Sequence, residues 1–166
     1  MLNANAPKGK GVDKLSYYYQ RFGQERVNQM IPHMKRVGDS VGIKFSYGGS
    51  IANTFDSHRL IWKAYEDGGP ALQDKVVESL FKAYFEEEKS LGEESVLRDC
   101  ASRAGMDASR LLEDELVGKE ETMAELNEFR GKYRITGVPF MVIDGKFTLS
   151  GAQPPEDILF ALEEIL

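Results

Sequence analysis

Few side chains in this 166-residue sequence have the type and spacing that chemistry needs, and the most reactive of them stands alone. Thiol–disulfide exchange requires a thiolate, commonly one with its pKa lowered at a helix N-terminus, and a second thiol to resolve the mixed disulfide. Cys100 is the sole cysteine. It falls on a helical face shared with Val96, Leu97, Ala101 and Ala104, where a free thiol behaves as a small core hydrophobe. No catalytic residue is assigned on this basis. No His, Cys, Asp or Glu recurs at a metal-ligand spacing either.

Three polar or backbone groups remain as binding candidates. Asn53, His58 and Arg59 form a compact constellation at the start of a helix, although Asn53 equally suits an N-cap and a helical histidine is commonly surface or boundary. In Gly137-Val138-Pro139 a proline stands directly before an apolar run. It is either a trans proline opening an edge strand or a cis proline that leaves the Val138 N–H and C=O free to pair with an extended peptide or a glutathione backbone. Ser150-Gly151-Ala152-Gln153 precede the last helix, whose N-terminal amides suit an anion, with a simple cap and turn as the plainer role.

The elements that must position these groups follow from periodicity. Asp13 caps a helix over 14–22 that ends at Gly23, and a second stripe from Gln24 to about Val41 contains Pro32, which predicts a kink. A loop over 42–52 leads to a helix that closes at Gly68-Gly69-Pro70. The next helix is predicted to run from Pro70 to about Leu91, with Leu72, Val76, Val77, Leu80, Phe81, Tyr84 and Phe85 facing the core. Shorter helices follow at 94–104, 108–117 and 120–133. Only then does β structure arise: a strand over 138–143, Asp144-Gly145 as a two-residue hairpin turn, a return over 146–149, and a helix opened by Pro154-Pro155 with Ile158, Leu159, Leu162, Ile165 and Leu166 as its buried face.

Composition sets the outer bounds. With 42% hydrophobic and 29% charged residues the chain has the balance of one globular, soluble domain. A net charge of -6 argues against a nucleic-acid backbone as partner. No apolar run reaches the length of a membrane span, and the opening residues lack the apolar stretch of a secretory signal. With a single cysteine besides, the expected compartment is the cytoplasm.

The stretch from Thr136 through Gly137-Val138-Pro139-Phe140 to Phe147, followed by Leu149-Ser150-Gly151-Ala152-Gln153-Pro154, resembles the end of the DsbA-like thioredoxin-fold oxidoreductases, a family that includes FrnE-type proteins. Tyr17-Tyr18-Tyr19 with Phe22-Gly23, Met30 to Lys35, Asn53 to Leu60, and Leu80 to Phe85 are similar to that family's helical insertion in order and spacing. The resemblance implies an α/β, thioredoxin-like fold carrying a large α-helical insertion, mostly α by content. It divides the chain into an extended lead-in (1–12), the insertion (13–134) and the C-terminal half of the thioredoxin fold (135–166). It also implies a cis Val138–Pro139 bond, and an N-terminal strand–Cys-x-x-Cys–helix–strand unit that would have to precede Leu2 and is missing here.

Several functional expectations follow from that resemblance. The chain is of thiol–disulfide oxidoreductase lineage and inactive as given, because it lacks the cysteine pair. An extended peptide or thiol substrate would meet Gly137, Val138 and Pro139. No cofactor is required, glutathione being the alternative ligand: in the related glutathione transferase kappa and hydroxychromene-carboxylate isomerase enzymes an Asn at the corresponding helix start contacts glutathione, which carries over to Asn53. Ala152 and Gln153 stand where those enzymes have Ser and Asp. The open alternatives are a non-catalytic peptide- or partner-binding module and a kappa-type transferase or isomerase. Lacking the family's first strand, residues 140–143 form an apolar edge expected to leave the chain marginally stable or to drive self-association.

Overall fold

A computed structural model of the chain describes residues 6–165. Residues 1–5 of the expected lead-in and Leu166 of the expected last helix face lie outside them. The elements run β1 (Val12–Asp13), α1 (Lys14–Phe22), α2 (Gln24–Ser40), β2 (Ser50–Ile51), α3 (Phe55–Phe85), α4 (Glu94–Ala104), α5 (Ser109–Glu113), α6 (Lys119–Tyr133), β3 (Phe140–Ile143), β4 (Phe147–Ser150) and α7 (Pro155–Glu163). They form two compact units, Leu2–Thr122 and Met123–Leu166, with the boundary inside α6. Helix therefore dominates, as expected, and no described helix is long and apolar enough to cross a membrane.

In the first unit, local sequence signals set the helix starts. The Asp13 carboxylate accepts the Ser16 N–H at 2.7 Å, which caps α1, and the Ser16 side chain together with that N–H holds the Asp13 pKa below its ordinary value. α2 is a single helix that passes through Pro32. Within α3, Gly68 and Gly69 leave helical geometry, Gly69 at φ 63°, so two helical arms meet at an elbow just before Pro70. Both arms face α4. Leu60 and Ala64 from the first, Val76, Leu80 and Ala83 from the second, and Leu97, Cys100, Ala101 and Ala104 from α4 make the core. Burying each large aliphatic side chain contributes about 1.5–3 kcal/mol.

Where the elements stop is a tertiary matter, and there the structure departs from expectation. α3 ends at Phe85, not near Leu91, because the Ser46 N–H takes the Phe85 carbonyl at 2.7 Å while Lys89 N–H reaches back to Ala83 O at 2.9 Å. Glu88 follows at φ 58°, its carboxylate accepting the Ser46 hydroxyl. Of the core face expected on this arm, Val76 and Leu80 are buried, but Phe81 and Phe85 are exposed.

The lead-in is also tied down over its described part. Val12 and Asp13 pair antiparallel with Ile51 and Ser50, a ladder not expected from sequence. Pro7 O accepts the Asn53 N–H at 2.8 Å, and Gly9 O accepts the Ser90 hydroxyl at 3.0 Å.

In the second unit, β3 and β4 form an antiparallel hairpin with Phe140 opposite Ser150 and Ile143 opposite Phe147. Asp144 (φ 51°) and Gly145 (φ 66°) make the turn, but Lys146 also stays out of the ladder, so the loop is one residue longer than Asp144-Gly145 alone predicts. Tyr133 of α6 stacks on Phe129 at 5.9 Å and lies 6.3 Å from Phe140. On α7 only Ala161 is fully buried; Leu159 and Leu162, expected inside, are exposed together with Phe160.

Gly118, which precedes α6, stands where two demands together require a glycine. Its φ is +69°, and a Cβ there would stand 2.5 Å from Cε3 of Trp62. Gly118→Ala should lower stability by about 2–4 kcal/mol through strain and overpacking. Gly131→Ala, in open space on the same helix, should be neutral or stabilising by about 0.5–1 kcal/mol. Urea unfolding followed through Trp62, the single tryptophan, measures both.

Candidate functional site

Arg59 sits in the first turns of α3 with 1% of its surface exposed, and each of its three guanidinium nitrogens donates to the chain. Nε donates to Val117 O (2.8 Å), Nη1 to the Asp56 carboxylate (2.8 Å), and Nη2 to Leu111 O (2.8 Å) and Asp114 O (2.5 Å). A buried guanidinium is tolerated only when so satisfied. The same bonds explain why the helix expected over 108–117 is cut to α5. Carbonyls that a longer helix would use internally face Arg59 instead, and Asp114 is extended at ψ 106°. Arg59 is thus built into the fold.

Its two neighbours in the constellation are likewise turned toward the chain. Asn53 Oδ1 accepts the Phe55 N–H at 2.9 Å, closing the N-terminal turn of α3. The His58 ring lies with Nδ1 2.7 Å from Thr54 O, so Nδ1 is the protonated nitrogen. Asn53 and Arg59 share the wall of a cleft of about 220 Å³ with Lys8, Asp56, Glu94 and Glu115, and His58 does not line it. Carboxylates outnumber cations there, with Lys8 paired to Glu115 at 3.8 Å, which disfavours an anionic ligand.

Cys100 is fully buried, its Sγ 3.6 Å from Ser79 O, and burial pushes the thiol up from its ordinary pKa. Leu97, Ala101 and Ala104 surround it on α4, as its helical face predicts. A thiol raised and sealed in this way is the opposite of an exchange nucleophile.

The hairpin unit presents a different kind of surface. The Val138–Pro139 bond is cis. Gly137, Val138 and Pro139 are exposed, Val138 by 61%. Gly151 N–H donates to Pro139 O at 2.8 Å, which makes 139 and 151 a hydrogen-bonded pair. Bonding alternates along an antiparallel ladder, so Met141 and Ile143 face β4 while the main-chain groups of Phe140 and Val142 point to the other side. Among the described residues no strand pairs with that side. The edge expected over 140–143 is therefore present.

At the start of α7 the local geometry suits the cap-and-turn role of 150–153 better than an anion site. Pro155 lacks an N–H, and Glu156 and Asp157 add negative charge to the first turn. Gln153 turns its amide back onto Ser150 O at 2.7 Å, and Ala152 is exposed beside it.

One buried cation escaped sequence reasoning. Lys14, at the first residue of α1, donates to Tyr84 O at 3.1 Å, lies 3.9 Å from the Tyr84 ring centroid, and has its pKa lowered by burial, against the pull of Glu88. Its partner is seventy residues away, and no local pattern carries that information.

Comparison with known proteins adds a family. A family model described as a DSBA-like thioredoxin domain matches residues 3–163. The fold is similar to the crystal structure of a probable DsbA oxidoreductase from Streptomyces coelicolor, with a TM-score of 0.78 and 28% sequence identity over 90% of this chain. The chain spans 65% of that structure's length. No curated protein matches at a significant level.

Replacing Arg59 would leave the Leu111, Asp114 and Val117 carbonyls short of a buried donor. Arg59→Ala should cost about 3–5 kcal/mol, and Arg59→Lys a substantial part of that, because one ammonium cannot reproduce the planar fork. Chemical denaturation followed by circular dichroism gives the values. His58→Ala should cost under about 1 kcal/mol.

Proposed function

Because the chain belongs to the DSBA-like thioredoxin domain family, of thioredoxin-fold oxidoreductases, we propose that its 166 residues hold out a strand edge to an extended polypeptide and do not themselves run the dithiol cycle. The observation that carries this reading is the row of outward main-chain groups at Phe140 and Val142, continued by exposed Gly137, Val138 and Pro139. An added strand would pair with this row, taking affinity from main-chain hydrogen bonds and selectivity from alternate side chains. A thiol-bearing peptide is the substrate class that fits the family.

The second half of the reading rests on Cys100. Exchange needs an accessible thiolate, and this thiol is buried among Leu97, Ala101 and Ala104 with a raised pKa. A peptide- or partner-binding module without a redox step uses the same edge, and a second copy of the chain paired through 140–143 is one such partner. The kappa-type glutathione reading has less support. Asn53 closes a helix turn, Arg59 is buried with all three nitrogens bonded to the chain, Gln153 bonds its own turn, and the first turn of α7 is acidic.

Binding of a labelled, extended, cysteine-containing peptide, followed by fluorescence anisotropy, tests the first half. Val142→Pro removes an outward N–H while leaving the bonds to β4 in place, and should weaken binding at least about tenfold with the circular dichroism spectrum unchanged. Undiminished binding would overturn the edge as the site. For the second half, the chain should not accelerate insulin reduction beyond glutathione alone, and Cys100 should react with a disulfide reagent far more slowly in the folded chain than in denaturant. Acceleration of insulin reduction sinks the claim that these residues cannot run the cycle.

A further inference from the structure

Between α2, the segment 43–47 and the second arm of α3, the first unit opens an apolar recess of about 680 Å³ lined by Met34, Ile43, Phe45, Tyr47, Phe81 and Phe85. Phe45 and Phe85 meet edge to face at 5.7 Å, and Phe81 and Phe85 at 5.8 Å, so the rings form a ledge. The ledge is open: Phe81 is 53% exposed, and Phe85 and Ile43, which line the same recess, are exposed as well. Scattered exposed apolar residues need no explanation, but a contiguous aromatic ledge beside a recess marks a contact surface.

We propose that this face is where two copies of the chain meet about a two-fold axis. The choice of a second copy rests on charge. On α3, Glu78 and Lys82 are four residues apart, as are Phe81 and Phe85, and each glutamate- or lysine-to-phenylalanine step from 78 to 81 and from 82 to 85 is three, so all four lie on one face. At the rim, Arg103 is paired with Glu87 (2.9 Å) and Lys44 with Asp39 (2.8 Å). Glu78 and Lys82, by contrast, make no ion pair among the described residues.

A two-fold interface must be self-complementary: if residue i meets residue j, then j meets i. When two such arms cross antiparallel, Glu78 of each copy stands opposite Lys82 of the other, with the two Phe81 rings beside the axis and the recess closed. An opposite-charge pair one helical turn apart, flanking an aromatic, satisfies that condition by itself. A small apolar ligand gains nothing from it. This inference does not depend on the strand-edge reading, since β3 lies in the other unit.

Sedimentation equilibrium of the full chain should show a concentration-dependent dimer. Glu78→Lys and Lys82→Glu each set like charges opposite one another twice, and each should raise the dimer Kd at least about tenfold. Mixing the two single variants in equal amounts restores both contacts and should recover a heterodimer; the double variant should recover the homodimer. Pairing through the β3 edge is indifferent to these charges, so a dimer that ignores all three variants overturns the proposal. So does a chain that stays monomeric at every concentration, and one that stays monomeric while binding the dye anilinonaphthalene sulfonate at this face points to a small apolar ligand in its place.

Discussion

A charge taken out of water must be answered in full, and in the first unit that requirement falls on Arg59. Its guanidinium reaches across more than fifty residues of sequence to the carbonyls of Leu111, Asp114 and Val117, and bonds the carboxylate of nearby Asp56. Much of the local architecture is a consequence of that satisfaction. α5 stops after five residues, the chain turns through 114–117, and α6 starts where Gly118 lies against Trp62. The core of α3 and α4 then closes beneath this clamp. Buried ionic groups are costly to break and seldom the most stable choice available, so their value lies in specifying one arrangement.

Local patterns were legible in the sequence, and long-range ones were not. Asp13 as a cap, Gly23 as a stop, the break at Gly68-Gly69-Pro70 and the Asp144-Gly145 turn all appear where their chemistry places them. These signals act over four residues or fewer. The early end of α3 needed the Ser46 amide, the β1–β2 ladder needed Ile51, and the burial of Lys14 needed Tyr84. Periodicity likewise showed that Phe81 and Phe85 share a face with one another, but not that both stay exposed.

The same division runs through the candidate site. Asn53, His58 and Arg59 were conspicuous as a polar cluster, yet the bonds that occupy Arg59 come from a segment with no recognisable tie to it in sequence. Residues 137–143 were legible because their property resides in the main chain, which the Val138-Pro139 sequence and the apolar run mark locally. Family membership assigns a thioredoxin-type fold; within it Cys100 is buried, and one side of β3 has no partner strand among the described residues.

The elbow in α3 has a bearing on how such a chain can drift over generations. Within a helix, one inserted residue rotates everything beyond it by about 100°, so an insertion after Val76 would swing Leu80 and Ala83 away from α4. At Gly68 and Gly69 the dihedrals are already outside the helical range, and both residues can take up an added or deleted neighbour without passing the rotation on. The elbow is a register buffer: it lets the two arms vary in length independently while each keeps its own face on the core. Length differences among kindred sequences should therefore gather at this joint and be rare on either side of it.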